Sequence, residues 1–372
     1  MNTANALRVL ESLPEVPPPV VVGFDGFVDE MISVVAERTS LEEFSPVPDI
    51  GTFASLLSAA AGRSSLREII ITAVHPGGCA VNLGDGLAAL GIPVDCYATL
   101  GEPAHPAFAE TTTRFRKAVS WGREPGRTLA FEFTDGKLMF SAVKQLAEFT
   151  AEDIARRLAD GDYLASCREA AIIALTDWTL YPHMTSVWRL LHNEIYAKLG
   201  RRPHFFIDLV DPSSRSSADI LAMVETLPLL QSCGDVTLGL NGNEANILAR
   251  LLGLHPAQEA DDAMRLAGQL QAKIGISTAV IHKLRFAVSA GSDGAFSAQG
   301  PFCEHPLKST GAGDRFNAGY CLGLLAGGTP EDSLALGCGV SGFFVRNARS
   351  PSRTELIEFL RQEALPGTIE AV

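Results

Sequence analysis

Near the C-terminus the chain reads Ser309-Thr310-Gly311-Ala312-Gly313-Asp314, then passes into the apolar stretch that begins at Phe316. Two glycines let the backbone turn tightly with its N–H groups exposed, and a helix starting there directs the positive end of its dipole outward. Such a turn suits an anion, most naturally a phosphate. An aspartate in the first helical turn is a group that a phosphate loop otherwise avoids. The chemistry open to it is to take a proton from a hydroxyl beside the phosphate, and an ordinary carboxyl pKa of about 3.9 would leave it ionised and able to accept at pH 7. A helix N-terminus capped by chance would contain the same residues, so the weight falls on other segments.

Four such segments precede the turn. They are Gly23-Phe24-Asp25-Gly26-Phe27-Val28-Asp29, Gly77-Gly78-Cys79-Ala80-Val81-Asn82, Asp211-Pro212-Ser213-Ser214-Arg215 and Asn241-Gly242-Asn243-Glu244. With the Thr310–Asp314 turn they follow the order and spacing of the first-strand acid, G-G-x-x-x-N, D-P-N-x-R, N-x-x-E and G-A-G-D elements. The chain therefore resembles the ribokinase-like (PfkB) carbohydrate kinases over nearly its whole length, as an atypical member with Ser213 in an asparagine position.

The resemblance implies roles position by position. Asp314 is the general base, and the N–H groups of Gly311, Ala312 and Gly313 form an anion hole for the transferred phosphoryl group. Glu244, with Asn241, orients Mg²⁺ through waters. Asn82 and one of Asp25 and Asp29 bind substrate hydroxyls, Asp29 being favoured because the family's acid follows its strand by several residues. Gly77 and Gly78 let substrate lie close to backbone. For the nucleotide, two registers compete: either His282 takes the place of the usual threonine, or the turn around Ser289 and Gly291 does. The donor implied is ATP, with ADP as the alternative that a histidine at 282 raises. Lys308 stands where an acid is common before the turn, and its ammonium would take the place of a monovalent cation. The acceptor implied is a sugar or sugar-like alcohol. A nucleoside kinase of the same fold, or a silent relative that only binds sugar or nucleotide, are the competing readings.

The elements that must position these residues are also legible. Val20–Phe24, Ala171–Leu175, His204–Leu209, Val236–Leu240 and Ala279–His282 read as buried strands. Helical stretches at 80–90, 185–199, 216–230, 243–252 and 257–273 alternate with them, which predicts a three-layer α/β/α body around a mostly parallel sheet. Residues 128–140 read as a hairpin with a type I′ Asp135-Gly136 turn. Parts of 28–75 and 94–140 fall outside the alternation and predict a small β-rich lid on a single kinase domain spanning 1–372, with exposed lid edges that could pair in a homodimer.

Composition sets the outer bounds. Acidic residues outnumber basic ones by 43 to 30, a net charge of −13, which argues against non-specific nucleic-acid binding. Seven scattered cysteines form no CxxC pair and read as reduced, mostly buried thiols of a cytoplasmic protein. No signal peptide or membrane-spanning run is expected. Gly337-Cys338-Gly339-Val340-Ser341-Gly342 matches G-x-G-x-x-G but follows no strand, so it reads as close helix packing. Arg114, Arg116, Lys117, Arg123 and Arg127 read as a solvated basic face, with a phosphosugar subsite as the alternative.

Overall fold

The computed structural model describes residues 3–363. Its strands, in chain order, are β1 (Val20–Phe24), β2 (Phe27–Arg38), β3 (Phe44–Pro46), β4 (Ile69–Gly77), β5 (Val94–Ala98), β6 (Lys117–Ser120), β7 (Gly126–Phe133), β8 (Gly136–Ala142), β9 (Ile172–Leu175), β10 (His204–Asp208), β11 (Asp235–Asn241), β12 (Thr278–His282), β13 (Phe286–Gly291) and β14 (Gly294–Gln299). Nine of them form one sheet in the order β14-β13-β12-β11-β10-β9-β1-β5-β6. From β6 to β12 every pairing is parallel, and β13 and β14 close that end as an antiparallel meander.

Every residue of β1, β5 and β9 is buried. Parallel strands need this, because their crossover helices cover both faces. One face packs Leu83 and Leu87 of the helix Cys79–Ala89 with Tyr320, Leu336 and Leu356 from the last three helices. The other packs Val187, Leu191, Leu248 and Leu266 from the helices between β9 and β12. The result is the three-layer α/β/α body predicted above.

The second sheet has β2 at its centre, paired antiparallel to β4 and β3 and parallel to β7, with β8 beyond β7. It draws on residues 27–77 and 126–142. Residues 94–98 and 117–120, inside the second range expected for the small sheet, instead extend the large one. The hairpin forms, but Phe133 pairs with Gly136, so its two loop residues are Thr134 and Asp135. Neither has positive φ, so the turn is not type I′, and Asp135 instead accepts the Ile50 N–H at 3.0 Å. Only Asp25 and Gly26 separate β1 from β2, and β4 runs straight into Gly78 and the helix Cys79–Ala89. Both ends of this first excursion into the second sheet therefore carry the motifs of interest.

The Gly337–Gly342 motif lies inside the helix Pro330–Asn347, which packs on the helix Ala312–Leu325. A Cβ on Gly319 would fall 2.8 Å from Gly337 Cα and collide with the Leu336 carbonyl, and one on Gly323 would meet Ser333 Cα at 2.5 Å. Among the described residues no helix is long and apolar enough to cross a membrane. Denaturant unfolding should show Gly319→Ala destabilised by about 1–3 kcal/mol through overpacking. Gly268→Ala, whose nearest neighbour would be 3.8 Å away, should gain up to ~1 kcal/mol from helix propensity.

Candidate active site

The helix Ala312–Leu325 begins after Gly311, whose φ of 87° suits glycine and opens the turn. The Ala312 N–H is taken by the Ser309 carbonyl at 3.1 Å, whereas those of Gly311 and Gly313 meet no acceptor among the described residues. Ala312 therefore departs from the expected three-donor hole. Asp314 is buried in the first helical turn, and the Asn82 side-chain amide donates to its Oδ2 at 3.0 Å. Burial, and then the charge of Asp208, push the Asp314 carboxyl up to about 8 against the opposing charge of Arg315. The expected ordinary carboxyl is thereby corrected: without ligand, Asp314 is largely protonated at pH 7.

Asp25 and Asp29 separate clearly. Asp25, fully buried, accepts the N–H groups of Cys79 and Ala80 (the latter at 2.9 Å) and the Thr176 hydroxyl at 2.6 Å. It thus anchors the N-terminus of the helix Cys79–Ala89, whose formal cap, Gly78, has no side chain to do so. Burial lifts its carboxyl to about 6. Asp29 lies on β2 facing a cavity of about 300 Å³ that Met31, His75, Asn82, Lys137 and Lys308 also line. Gly77 lies against its carboxylate, where a Cβ would collide, and a Cβ on Gly78 would meet the Asp25 carbonyl at 2.8 Å. Both glycines are there for close approach. Asn82 is the fourth residue of its helix and not the cap, which leaves its amide free to reach Asp314.

Asn241 and Glu244 form a capping box at the helix Gly242–Leu251. The Asn241 N–H donates to Glu244 Oε2 at 2.8 Å and its side-chain amide to Oε1 at 2.6 Å. Burial, then the charge of Asp208, hold the Glu244 carboxyl well above its usual range. His282 ends β12 and stacks on Phe316 with ring centroids 4.9 Å apart, and a Cβ on Gly313 would lie 3.4 Å from its ring. Burial pushes its pKa down to about 4, so the ring is neutral. Ser289 and Gly291 fall elsewhere. Ser289 pairs with Val280 in mid-sheet and Gly291 with Thr278 at the start of β12, because β13 runs antiparallel. That is away from the strand end bearing His282, so the second nucleotide register is not at this site. Lys308 lies with its ammonium 5.8 Å from the Phe344 ring centroid and lines the cavity with Asp29. Among the basic residues set aside above, Arg114, Arg116, Lys117 and Arg127 pair with Asp85, Asp95, Asp162 and Glu30.

Sequence reasoning missed three buried groups. Asp177 and Asp208 follow or end β9 and β10, and Asn317 lies one turn into the helix after Asp314. The Asn317 amide donates to Asp208 Oδ2 at 2.6 Å, and the Val210 N–H donates to Oδ1 at 3.0 Å. Asp177 and Val210 have φ of 51° and 62°, conformations rare for side-chain-bearing residues and costly for a β-branched one. An acid at or just beyond the end of the apolar runs at 171–175 and 204–209 was the available signal. Mutual repulsion among Asp208, Glu244 and Asp314 leaves this end of the sheet short of positive charge, which a divalent cation would supply. No group of three or more His, Cys, Asp or Glu side chains is set to hold a metal among the described residues. The buried Glu244 carboxyl and Asn241 amide, oxygen and amide groups short of positive charge, fit Mg²⁺ held through waters and phosphate oxygens, as that ion commonly is.

The sequence and the fold have counterparts in known proteins. Residues 2–363 match the family model described as prokaryotic ketohexokinase. The chain belongs to the prokaryotic ketohexokinase family. A ketohexokinase of Haloferax volcanii is 30% identical over 355 residues, covering 94% of this chain and 93% of the relative. Solved structures share the fold: an Arabidopsis thaliana ribokinase complexed with ribose and ATP (TM-score 0.64, 18% identity, 93% and 99% of the two chains) and a Thermotoga maritima ribokinase (0.62, 15%, 93% and 99%). A Sinorhizobium meliloti adenosine kinase has TM-score 0.60 at 18% identity over 94% and 100%, so the fold alone does not separate sugar from nucleoside kinases. Family membership does: this chain is a carbohydrate kinase.

The two first-strand acids can be told apart by stability. Asp25→Ala should lower unfolding free energy by about 1–3 kcal/mol, since it strands two buried N–H groups. Asp29→Ala should cost under about 1 kcal/mol but raise KM for the sugar at least tenfold. The reverse pattern in denaturant melts and kinetics would assign the roles the other way.

Proposed function

We propose that this ketohexokinase-family chain moves the γ-phosphoryl group of ATP to a hydroxyl of a ketohexose, with Asp314 as general base. The observation that carries the reading is the Asp314 carboxyl, oriented by Asn82, in the first turn of a helix whose Gly311 and Gly313 N–H groups are free. The sugar fills the cavity between the second sheet and the segment 307–310, where Asp29 and Asn82 bind hydroxyls and Lys308 and Lys137 line the walls. One sugar hydroxyl lies against Asp314 and gives it its proton as the hydroxyl oxygen attacks the γ-phosphorus and the bond from that phosphorus to the β,γ-bridging oxygen breaks, releasing ADP. The free N–H groups and the helix dipole stabilise charge on the phosphoryl oxygens.

Bound Mg²⁺ would neutralise phosphate charge, with Glu244 and Asn241 orienting it through waters. His282, behind Gly313, shapes the nucleotide side of the turn as a neutral ring. The second sheet acts as the lid that excludes water. Its edge strands β4 and β8 expose Ile69, Ile71, Val74, Met139 and Phe140, a surface suited to a second copy of the chain.

Asp314→Asn should lower turnover by about 10²–10⁴-fold with nucleotide binding retained. Because the base must be unprotonated, kcat/KM in the unaltered chain should rise about tenfold per pH unit below a pH near 8, and level off above it. Coupled-assay kinetics with fructose as the ketohexose measure both. Near-normal turnover in Asp314→Asn would refute the assignment.

A further inference from the structure

Arg315 is out of place by the ordinary rules. It sits in the first turn of the helix Ala312–Leu325, where a cation opposes the dipole, and it is only 6% exposed. A buried guanidinium is costly unless its donors are met. Here Nη2 donates to Asp85 Oδ2 at 2.7 Å, Nε donates to the Ser350 hydroxyl at 3.2 Å, and the guanidinium carbon lies 4.7 Å from the centre of the Phe344 ring. Ser350 in turn donates to Asp85 at 3.0 Å. Arg114 also claims Asp85, at 2.6 Å, so one carboxylate is divided between two guanidiniums.

The remaining nitrogen shows what this support is for. Nη1 makes no hydrogen bond within the described residues, and it lies 3.1 Å from where a Cβ on Gly311 would be, with the Asn82 amide nitrogen 3.6 Å from the same point. The backbone N–H of Arg315 donates to the Gly311 carbonyl at 3.1 Å. The side chain therefore folds back over the residue at which its own helix starts, into space that exists only because residue 311 is glycine.

We propose that Arg315 is a positioning residue for phosphoryl transfer, its guanidinium held by Asp85, Ser350 and Phe344 so as to back the Gly311 turn with fixed positive charge. The inference rests on the kinase reading above. It gives that turn a permanent cation where the negative charge of the transferred group gathers, screened little because the guanidinium is buried. The same charge acts on Asp314. Around Asp314 stand the carboxyls of Asp25, Asp177, Asp208 and Glu244, the Cys79 thiol and the Asn82 amide, with Lys308 on the cavity side. Arg315 is the charge that opposes the carboxyls there.

The test uses the full chain with ATP, Mg²⁺ and fructose. Arg315→Ala, shown folded by its melting curve, should lose about 10²–10³-fold in kcat with KM for fructose changed less than threefold, and millimolar guanidinium should restore at least tenfold. Arg315→Lys should fall between, since an ammonium cannot serve Asp85 and Ser350 while also reaching Gly311. Asp85→Asn, which keeps the guanidinium but removes its counter-charge, should move the kcat/KM profile to lower pH, and it decides the matter if Arg315→Ala fails to fold. Retained kcat in folded Arg315→Ala, a loss that guanidinium does not relieve, or an unmoved profile in Asp85→Asn would overturn the inference. Absence of phosphoryl transfer in the unaltered chain would instead overturn the kinase reading on which it rests.

Discussion

A carboxyl group held beyond the end of a buried parallel strand has little water in which to ionise, and this molecule gathers several of them in one place. Asp25, Asp177 and Asp208 follow or end neighbouring central strands, while Glu244 and Asp314 occupy first helical turns above the same end of the sheet. Burial raises every one of their pKa values, and for most of them neighbouring carboxyls raise it further. The rest of the structure answers this strain. Helix N-termini supply partial positive charge to Asp25, Glu244 and Asp314, and the amides of Asn82, Asn241 and Asn317 supply donors. A group whose pKa is raised on folding stabilises the fold while protonated and loses that contribution as pH climbs through the folded value. For Asp314 the loss spans from about 4 to about 8. The acids thus weaken the fold at the pH where the proposed chemistry needs Asp314 unprotonated, as expected where function overrides local stability.

The junction between the sheets turns that cluster into a site. The chain first leaves the large sheet through Asp25-Gly26 and returns through Gly77-Gly78, with Gly77 against the Asp29 carboxylate and Gly78 against the Asp25 carbonyl. Asp25 spends its oxygens on the returning helix, and Asp29 keeps its carboxylate toward the cavity. Because that helix also carries Asn82 and Asp85, one capped N-terminus fixes both the amide that orients Asp314 and the carboxylate that holds Arg315.

The fold was legible because buried parallel strands read as continuous apolar runs, and those at 20–24, 172–175 and 204–208 stand where the runs predicted. β5 and β6 were harder to place: a strand of five residues in the second range looks the same whether it joins the large sheet or the small one, and only pairing decides. The turn at Asp135 illustrates the limit of a local motif, since its carboxylate is drawn to Ile50, far away in sequence. At the site, the motif residues were visible by type and order. What could not be read was environment. The shift of Asp314 to about 8 depends on burial first and then on Asp208, more than a hundred residues away, and the removal of Ser289 and Gly291 depends on the direction of one strand. Arg315 was in plain view beside the motif, but its meaning lies in contacts with Asp85, Ser350 and Phe344.

The central claim is that the turn at 311–314 brings a sugar hydroxyl and the transferred phosphoryl group together over Asp314. A crystal structure with fructose, ADP, Mg²⁺ and aluminium fluoride tests it most directly. The account predicts the fluoride group within hydrogen-bonding distance of the Gly311 and Gly313 N–H groups, and one fructose hydroxyl within ~3 Å of the Asp314 carboxylate, a hydrogen-bond length. A fluoride group bound away from that turn, or a sugar whose hydroxyls all lie beyond the reach of Asp314, would contradict it.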